Sequence, residues 1–374
     1  MKLSLRERVL ALDPAIIGIA AGLLVLGVAV LMSATGPVAF QRTDDSLYYV
    51  KRQLLQGVIP GMLLFLFFSL IDYRILKKFA FPILVGCIGL LLLVYVPGLG
   101  VRIKGALGWL ELGPIRFQPS ELVKLGLLIY LAAWFSERKP EQVRDLKEGL
   151  LPFMGVVSIF FFLLILQPDT GSMAVVVGTA GMLYLAAGAP ISWFLLLGAA
   201  GAGILALVIK LSPYRIARFM TFLHPELDPQ GQGYHINQAV LAVGSGGMMG
   251  LGFGKSRQKY LYLPEVEADS IFAVMAEELG FIMILAVLAL YAAFIWRSFQ
   301  IAGKSRDRFG ALLAVGIGSW IAIQSVLNIG GMIGIMPMTG VTLPFVSHGG
   351  TSMAILIGAV GLLAGIPRFA NDRS

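Results

Sequence analysis

Ten stretches of the chain are almost wholly apolar, and its polar residues gather between them. The runs lie near residues 14–34, 53–71, 79–97, 119–136, 150–166, 172–188, 190–211, 271–297, 309–331 and 350–366. Each is long enough for a helix to cross a hydrocarbon core, which takes about 17–25 residues. Unbroken apolar runs exclude a β-barrel, whose strands alternate lipid-facing and lumen-facing positions. The pattern predicts an all-α polytopic membrane protein with ten transmembrane helices in a single domain, residues 1–374. One long extracytoplasmic loop, residues 212–270, separates helices seven and eight. The first run is read as an uncleaved helix, because no convincing small-residue cleavage site follows it and further spans do.

Composition agrees: 57% of residues are hydrophobic and 13% charged, with a mean hydropathy of +0.84, where soluble domains carry about 25% charge. Too little polar sequence remains for a separate soluble domain, so any chemistry must sit in loops and at helix ends. Cys87 is the lone cysteine, which excludes a disulfide framework and a cysteine metal site. The net charge of +8 comes from basic residues scattered at the ends of the apolar runs. That distribution sets topology and does not suit nucleic acid. With the N-terminus inside, 16 Lys and Arg fall on inner segments and 6 on short outer ones. Both termini are therefore expected to be cytoplasmic. Residues 35–52, 98–118 and 212–270, with turns at 167–171 and 332–349, are expected on the outer face.

Acids are costly in a bilayer and rarely lie there without a function. The stretch Leu263–Gly280 places Asp269 at the mouth of the eighth span, with Glu277 and Glu278 two turns deeper. Asp also favours the N-cap position, so local evidence leaves capping and general-base catalysis both open. At least one of Glu277 and Glu278 should face the bundle interior. In Gln118-Pro-Ser-Glu-Leu-Val-Lys124, Pro119 suits a first helical position and Glu121 can cap free amides. Lys124, three residues on, can pair with Glu121 so that both line a polar cavity. Asp169, in Gln167-Pro-Asp-Thr-Gly171, is a turn residue or a site residue. His348, before the last run, reads as structural. The run Gly244–Ser256 fails as a Walker A loop and as a dinucleotide fingerprint, both at Met249. It reads as mobile or re-entrant backbone whose amides, with Lys255, Arg257 and Lys259, can meet an anionic headgroup. Arg52, Arg215 and Arg218 lie near the outer surface, where they either snorkel to headgroups or bind phosphate.

Taken in order, these motifs resemble the SEDS family, the FtsW/RodA proteins of bacterial cell-wall synthesis. The carriers are Lys51-Arg-Gln53, Arg116–Glu121 with Lys124, Gln167–Gly171, Phe222–Pro225, Asp228–Tyr234, Gly244–Gly254, Leu263–Gly280 and Leu343–Gly350. The resemblance implies a peptidoglycan glycosyltransferase of the bacterial cytoplasmic membrane that polymerises lipid II into a lipid-linked glycan chain. Its partner would be a class B penicillin-binding protein. Asp269 would be the catalytic acid residue, acting as general base. Glu121, Lys124, Arg52, Arg215, Arg218, Lys255, Glu265 and Asp169 would bind substrate. No nucleotide is implied, and a divalent cation, Mg or Mn, is a candidate cofactor with Asp269 a candidate ligand. Glu267-Ala268 stands where His-Thr is frequent, His348 replaces a common Tyr, and Ala239 replaces a frequent Ser. The segment Ser256–Pro264 is more like the FtsW division branch than the RodA elongation branch. A lipid II flippase and a non-catalytic scaffold are the alternative functions.

Overall fold

A computed structural model describes residues 12–370 except 104, 114, 211–215 and 217–219. Every predicted apolar run falls on a helix. In chain order these are α1 (Pro14–Thr43), α2 (Tyr48–Leu70), α3 (Ala80–Leu93), α4 (Pro119–Ser136), α5 (Leu146–Leu166), α6 (Thr170–Ala186) and α7 (Ile191–Lys210). After α8 (Gln232–Ser245) come α9 (Ile271–Lys304), α10 (Arg308–Met332) and α11 (Gly350–Ala370). Among the described residues, α1, α2, α5, α9, α10 and α11 are long and apolar enough to cross a membrane. Helices α3, α6 and α7 contain shorter apolar stretches. Helix α4 is nearly all buried and carries the Glu121 and Lys124 charges inside the bundle.

Two features depart from the hydropathy reading. Three short segments form an antiparallel sheet, β1 (Gly100–Ile103), β2 (Ala106–Leu112) and β3 (Ile115–Phe117), in the order β1-β2-β3. Strands this short carry too little alternation to stand out between long apolar runs. The segment 212–270, expected as a loop, contains the regular helix α8, whose Ala239 and Ala242 are buried.

Segments expected outside meet at one end of the bundle. The Leu107 amide donates to the Gln167 carbonyl (3.2 Å), Gln118 Nε2 donates to Asp169 (3.2 Å), and the His348 amide donates to the Glu267 carbonyl (2.8 Å). At the other end Arg297 grips Asp13 at 2.6 Å, and Arg308 donates to the carbonyls of Arg138 and Ala187. Helices α2 and α11 approach backbone to backbone, since a Cβ on Gly361 would lie 2.5 Å from the Phe65 carbonyl. Small residues permit such contact where no hydrophobic effect drives helices together.

Helix α9 is broken at Gly280 (φ 74°, ψ 175°), a conformation essentially restricted to glycine. The glycine run 246–252 crosses the break. The Leu251 and Gly252 amides donate to the Glu277 and Glu278 carbonyls, both at 3.0 Å. In return, the Phe281 and Ile282 amides donate to the Gly247 and Met248 carbonyls at 2.9 and 3.2 Å. The run is thus re-entrant and hydrogen-bonded into the bundle, and these amides face a helix where a lipid headgroup was expected. A Cβ at Gly280 would lie 2.1 Å from the Gly250 nitrogen. Gly280→Ala is therefore expected to cost about 2 kcal/mol or more. Gly303→Ala, where nothing lies within 4 Å, should change stability little. Thermal melts of the two purified variants check the contrast.

Candidate active site

Asp269 closes the turn 264–270, just ahead of α9. The turn is pinned by buried Leu263 and Val266 and by the Glu265 carbonyl, which accepts from the Ala268 and Ser270 amides at 2.9 and 3.3 Å. Glu265 holds φ at +57°, a strained value for a residue with a Cβ. The capping alternative for Asp269 is not what the backbone adopts, because Ser270 holds the N-cap position. From α10, Asn328 Nδ2 donates to the Asp269 carbonyl (2.9 Å) and to the Val341 carbonyl (2.8 Å). Asp269 is half-buried at the mouth of the bundle.

One turn along α10, Gln324 organises the second charged group. Lys124 Nζ donates to Glu121 Oε1 at 2.7 Å and to Gln324 Oε1 at 3.1 Å. Trp320 Nε1 also donates to Gln324 Oε1 (2.8 Å), and Gln324 Nε2 donates to the Thr342 carbonyl (2.9 Å). The Glu121 and Lys124 side chains are 6% and 2% exposed, so the pair is internal. Glu121 Oε2 has no hydrogen-bond partner among the described residues. The capping role open to Glu121 is not realised, since its bonded oxygen is given to Lys124. Asn328 and Gln324 escaped the sequence reading, although two polar residues one turn apart on an apolar helix are a visible signal.

The remaining candidates separate. Asp169 caps α6 through the Ser172 amide (3.0 Å) and accepts from Ser120 Oγ (3.0 Å), so its carboxylate joins the starts of α4 and α6. The turn role open to Asp169 is thus adopted. Arg52 donates to Gln56 (2.9 Å) and Tyr48 (3.2 Å) and lines an open hollow of about 550 Å³ with Lys51, Glu111 and Arg116. Lys255 is exposed on the glycine run. Arg215 and Arg218 lie outside the described residues. Among the described residues no three His, Cys, Asp or Glu side chains converge as a metal ion would require.

Both deeper acids face inward. Glu277 accepts from Ser256 Oγ (2.5 Å) and from the Arg257 amide (3.0 Å). Glu278 accepts from Ser33 Oγ (2.7 Å) and from Lys259 Nζ (2.9 Å), so Lys259 is buried and not available at the surface. These bonds tie α1, α9 and the re-entrant run into one unit.

The fold and site define a polytopic membrane protein with a carboxylate at one mouth of the bundle and a buried ion pair behind it. The family profile for FtsW, RodA and SpoVE, described as cell cycle protein, matches residues 14–372. The chain belongs to that family. It is 41% identical over 350 residues to stage V sporulation protein E of Bacillus subtilis (strain 168), covering 93% of this chain and 95% of that one. Identity is also 41% over 361 residues with a probable peptidoglycan glycosyltransferase FtsW of Nitrosococcus halophilus (strain Nc4), at 94% and 91% coverage. Among solved structures, a chain of a peptidoglycan synthase complex that coordinates polymerization and crosslinking superposes with a TM-score of 0.78 at 32% identity. It covers 97% of this chain and 99% of that one. The rod shape determining protein RodA of Thermus thermophilus gives 0.70 at 29% identity, with the same coverage.

Removing one member of a buried ion pair strands the other, typically at a cost of about 3–5 kcal/mol. Glu278→Gln and Lys259→Met are each expected to destabilise in that range, and the double variant by less than the sum. Denaturation of the set in detergent measures the coupling. Burial, aided by the positive charge of Arg52, holds the His348 imidazole down at about 4, below its ordinary 6.5. Between those values the unfolded chain binds a proton that the folded one refuses, so stability falls as pH drops through that window. His348→Gln is expected to flatten the fall in melting temperature between pH 7 and 5.

Proposed function

We propose that this chain is a peptidoglycan glycosyltransferase that polymerises lipid II at the outer face of the bacterial cytoplasmic membrane, with Asp269 as its general base. The carrying observation is that one turn of α10 organises both charged groups. Asn328 holds the Asp269 carbonyl, and Gln324 holds Lys124. Four residues of helix rise about 6 Å, so the mouth carboxylate and the buried pair share one rigid frame.

In this reading Asp269 takes the proton from the 4-hydroxyl of the acceptor sugar as that oxygen attacks the anomeric carbon of the donor. The new C–O bond forms while the bond to the lipid pyrophosphate breaks. Charge develops on the departing pyrophosphate, and fixed cations are the means of stabilising it. Arg52 and Arg116 on the open hollow, with Lys255, Arg215 and Arg218, are the side chains assigned to it. Glu121 and Lys124 form the buried pair behind the mouth, and strained Glu265 shapes the turn that presents Asp269. No step is routed through a metal.

The orientation follows from the Lys and Arg asymmetry, which puts both termini in the cytoplasm and Asp269 outside. The similar synthase complex couples polymerization to crosslinking, which supports a class B penicillin-binding protein as the partner of this chain. The segment Ser256–Pro264 favours the division branch.

A positioned general base contributes about 10²–10⁴ in rate. Asp269→Asn is expected to lower polymerisation of lipid II by the purified protein, with its crosslinking partner present, by that factor and to leave the fold intact. Undiminished activity would overturn the assignment. A variant that lost polymerisation but still moved lipid II across vesicles would show a separate transport activity.

A further inference from the structure

Ser270 stands at the N-cap of α9, where a serine ordinarily turns its hydroxyl back to accept from an amide of the first turn. Here it makes no such bond. Its Oγ lies 3.4 Å from Asp269 Oδ1 and 2.6 Å from Nε2 of His235, 35 residues away in sequence. The imidazole arrives there on α8, which packs so closely on α9 that a Cβ on Gly246, just beyond its end, would sit 2.2 Å from the Ala276 carbonyl. A hydroxyl has one proton, and an ionised carboxylate can only accept. A chain of contacts that ends on the carboxylate runs Nε2–H to Oγ, then Oγ–H to Oδ1, with the His235 hydrogen on Nε2.

We infer that His235, acting through Ser270, is a positioning residue that orients the Asp269 carboxylate for proton transfer. It touches no substrate. The inference rests on Asp269 being the base and adds what aims it. Asp269 follows a turn with a strained residue, and its backbone is held by Asn328. The brace acts on the carboxylate itself, through Oδ1. The longer bond of the brace, 3.4 Å, is of the kind that tightens once substrate closes a site.

The test uses full-length protein, lipid II polymerisation and histidine NMR. His235→Ala and Ser270→Ala are each expected to reduce kcat about tenfold with KM within about twofold, the signature of an interaction realised in the transition state. His235→Gln, whose amide also presents an N–H, should recover activity to within about threefold of wild type. The double alanine variant should be no slower than the slower single one, because both break one chain of contacts. Independently of activity, the chain has three histidines, so the 15N signals of His235 are assignable by single substitution. They should report the Nε2–H tautomer, and Ser270→Ala should shift them. Wild-type turnover in His235→Ala, additive losses in the double variant, or an Nδ1–H tautomer would overturn the inference. If His235→Ala does not fold, the glutamine variant and the NMR signature decide. Retained activity in Asp269→Asn would instead overturn the base reading, while the NMR arms still report whether the brace exists.

Discussion

A helix broken inside a packed bundle must find partners for the backbone groups its break exposes, because an unpaired backbone group buried away from water is costly. Much of this protein's architecture around the site answers that requirement at Gly280. Four hydrogen bonds between the 247–252 run and the two halves of α9 replace what the break removes. The same chain reversal brings Ser256 and Lys259 down to Glu277 and Glu278. Backbone satisfaction and charge pairing are thus one structure, and the short half of α9 that follows Asp269 is fixed by it.

The second organising element is α10. Its Gln324 and Asn328 use side-chain amides, which donate and accept at once, to hold parts of the chain that are distant in sequence. Gln324 joins α4 to the segment before α11, and Asn328 joins the Asp269 turn to that same segment. A neutral residue that serves two partners avoids the desolvation penalty of a further buried charge.

Two positions at which the chain departs from the common family pattern, Glu267 and His348, meet in space. The contact is from the His348 amide to the Glu267 carbonyl, so it is indifferent to either side chain. The side chains have local partners of their own: Arg42 and Tyr49 close on the Glu267 carboxylate, both at 3.4 Å, and the His348 ring packs edge-on against Tyr49. Changing either side chain would leave the donor and the acceptor of this backbone joint in place.

The apolar periodicity by itself determined the helical class, the placement of the apolar runs on helices and the grouping of segments at the two ends. Burying charge or unpaired backbone in lipid is too costly to leave room for many alternatives. It also marked Asp269, Glu121, Lys124, Glu277 and Glu278, since ionisable residues in such a chain are few. Tertiary structure alone decided where each acid lies and what it meets. Asp269 and Glu278 look alike in sequence, yet one lies at the mouth and the other is consumed by Lys259 and Ser33. The short sheet, the inward turn of Lys259 and the approach of His235 to Ser270 were equally illegible. Each depends on contacts between residues far apart in sequence, and periodicity reports only which face of a segment is apolar, not what will come to lie against it.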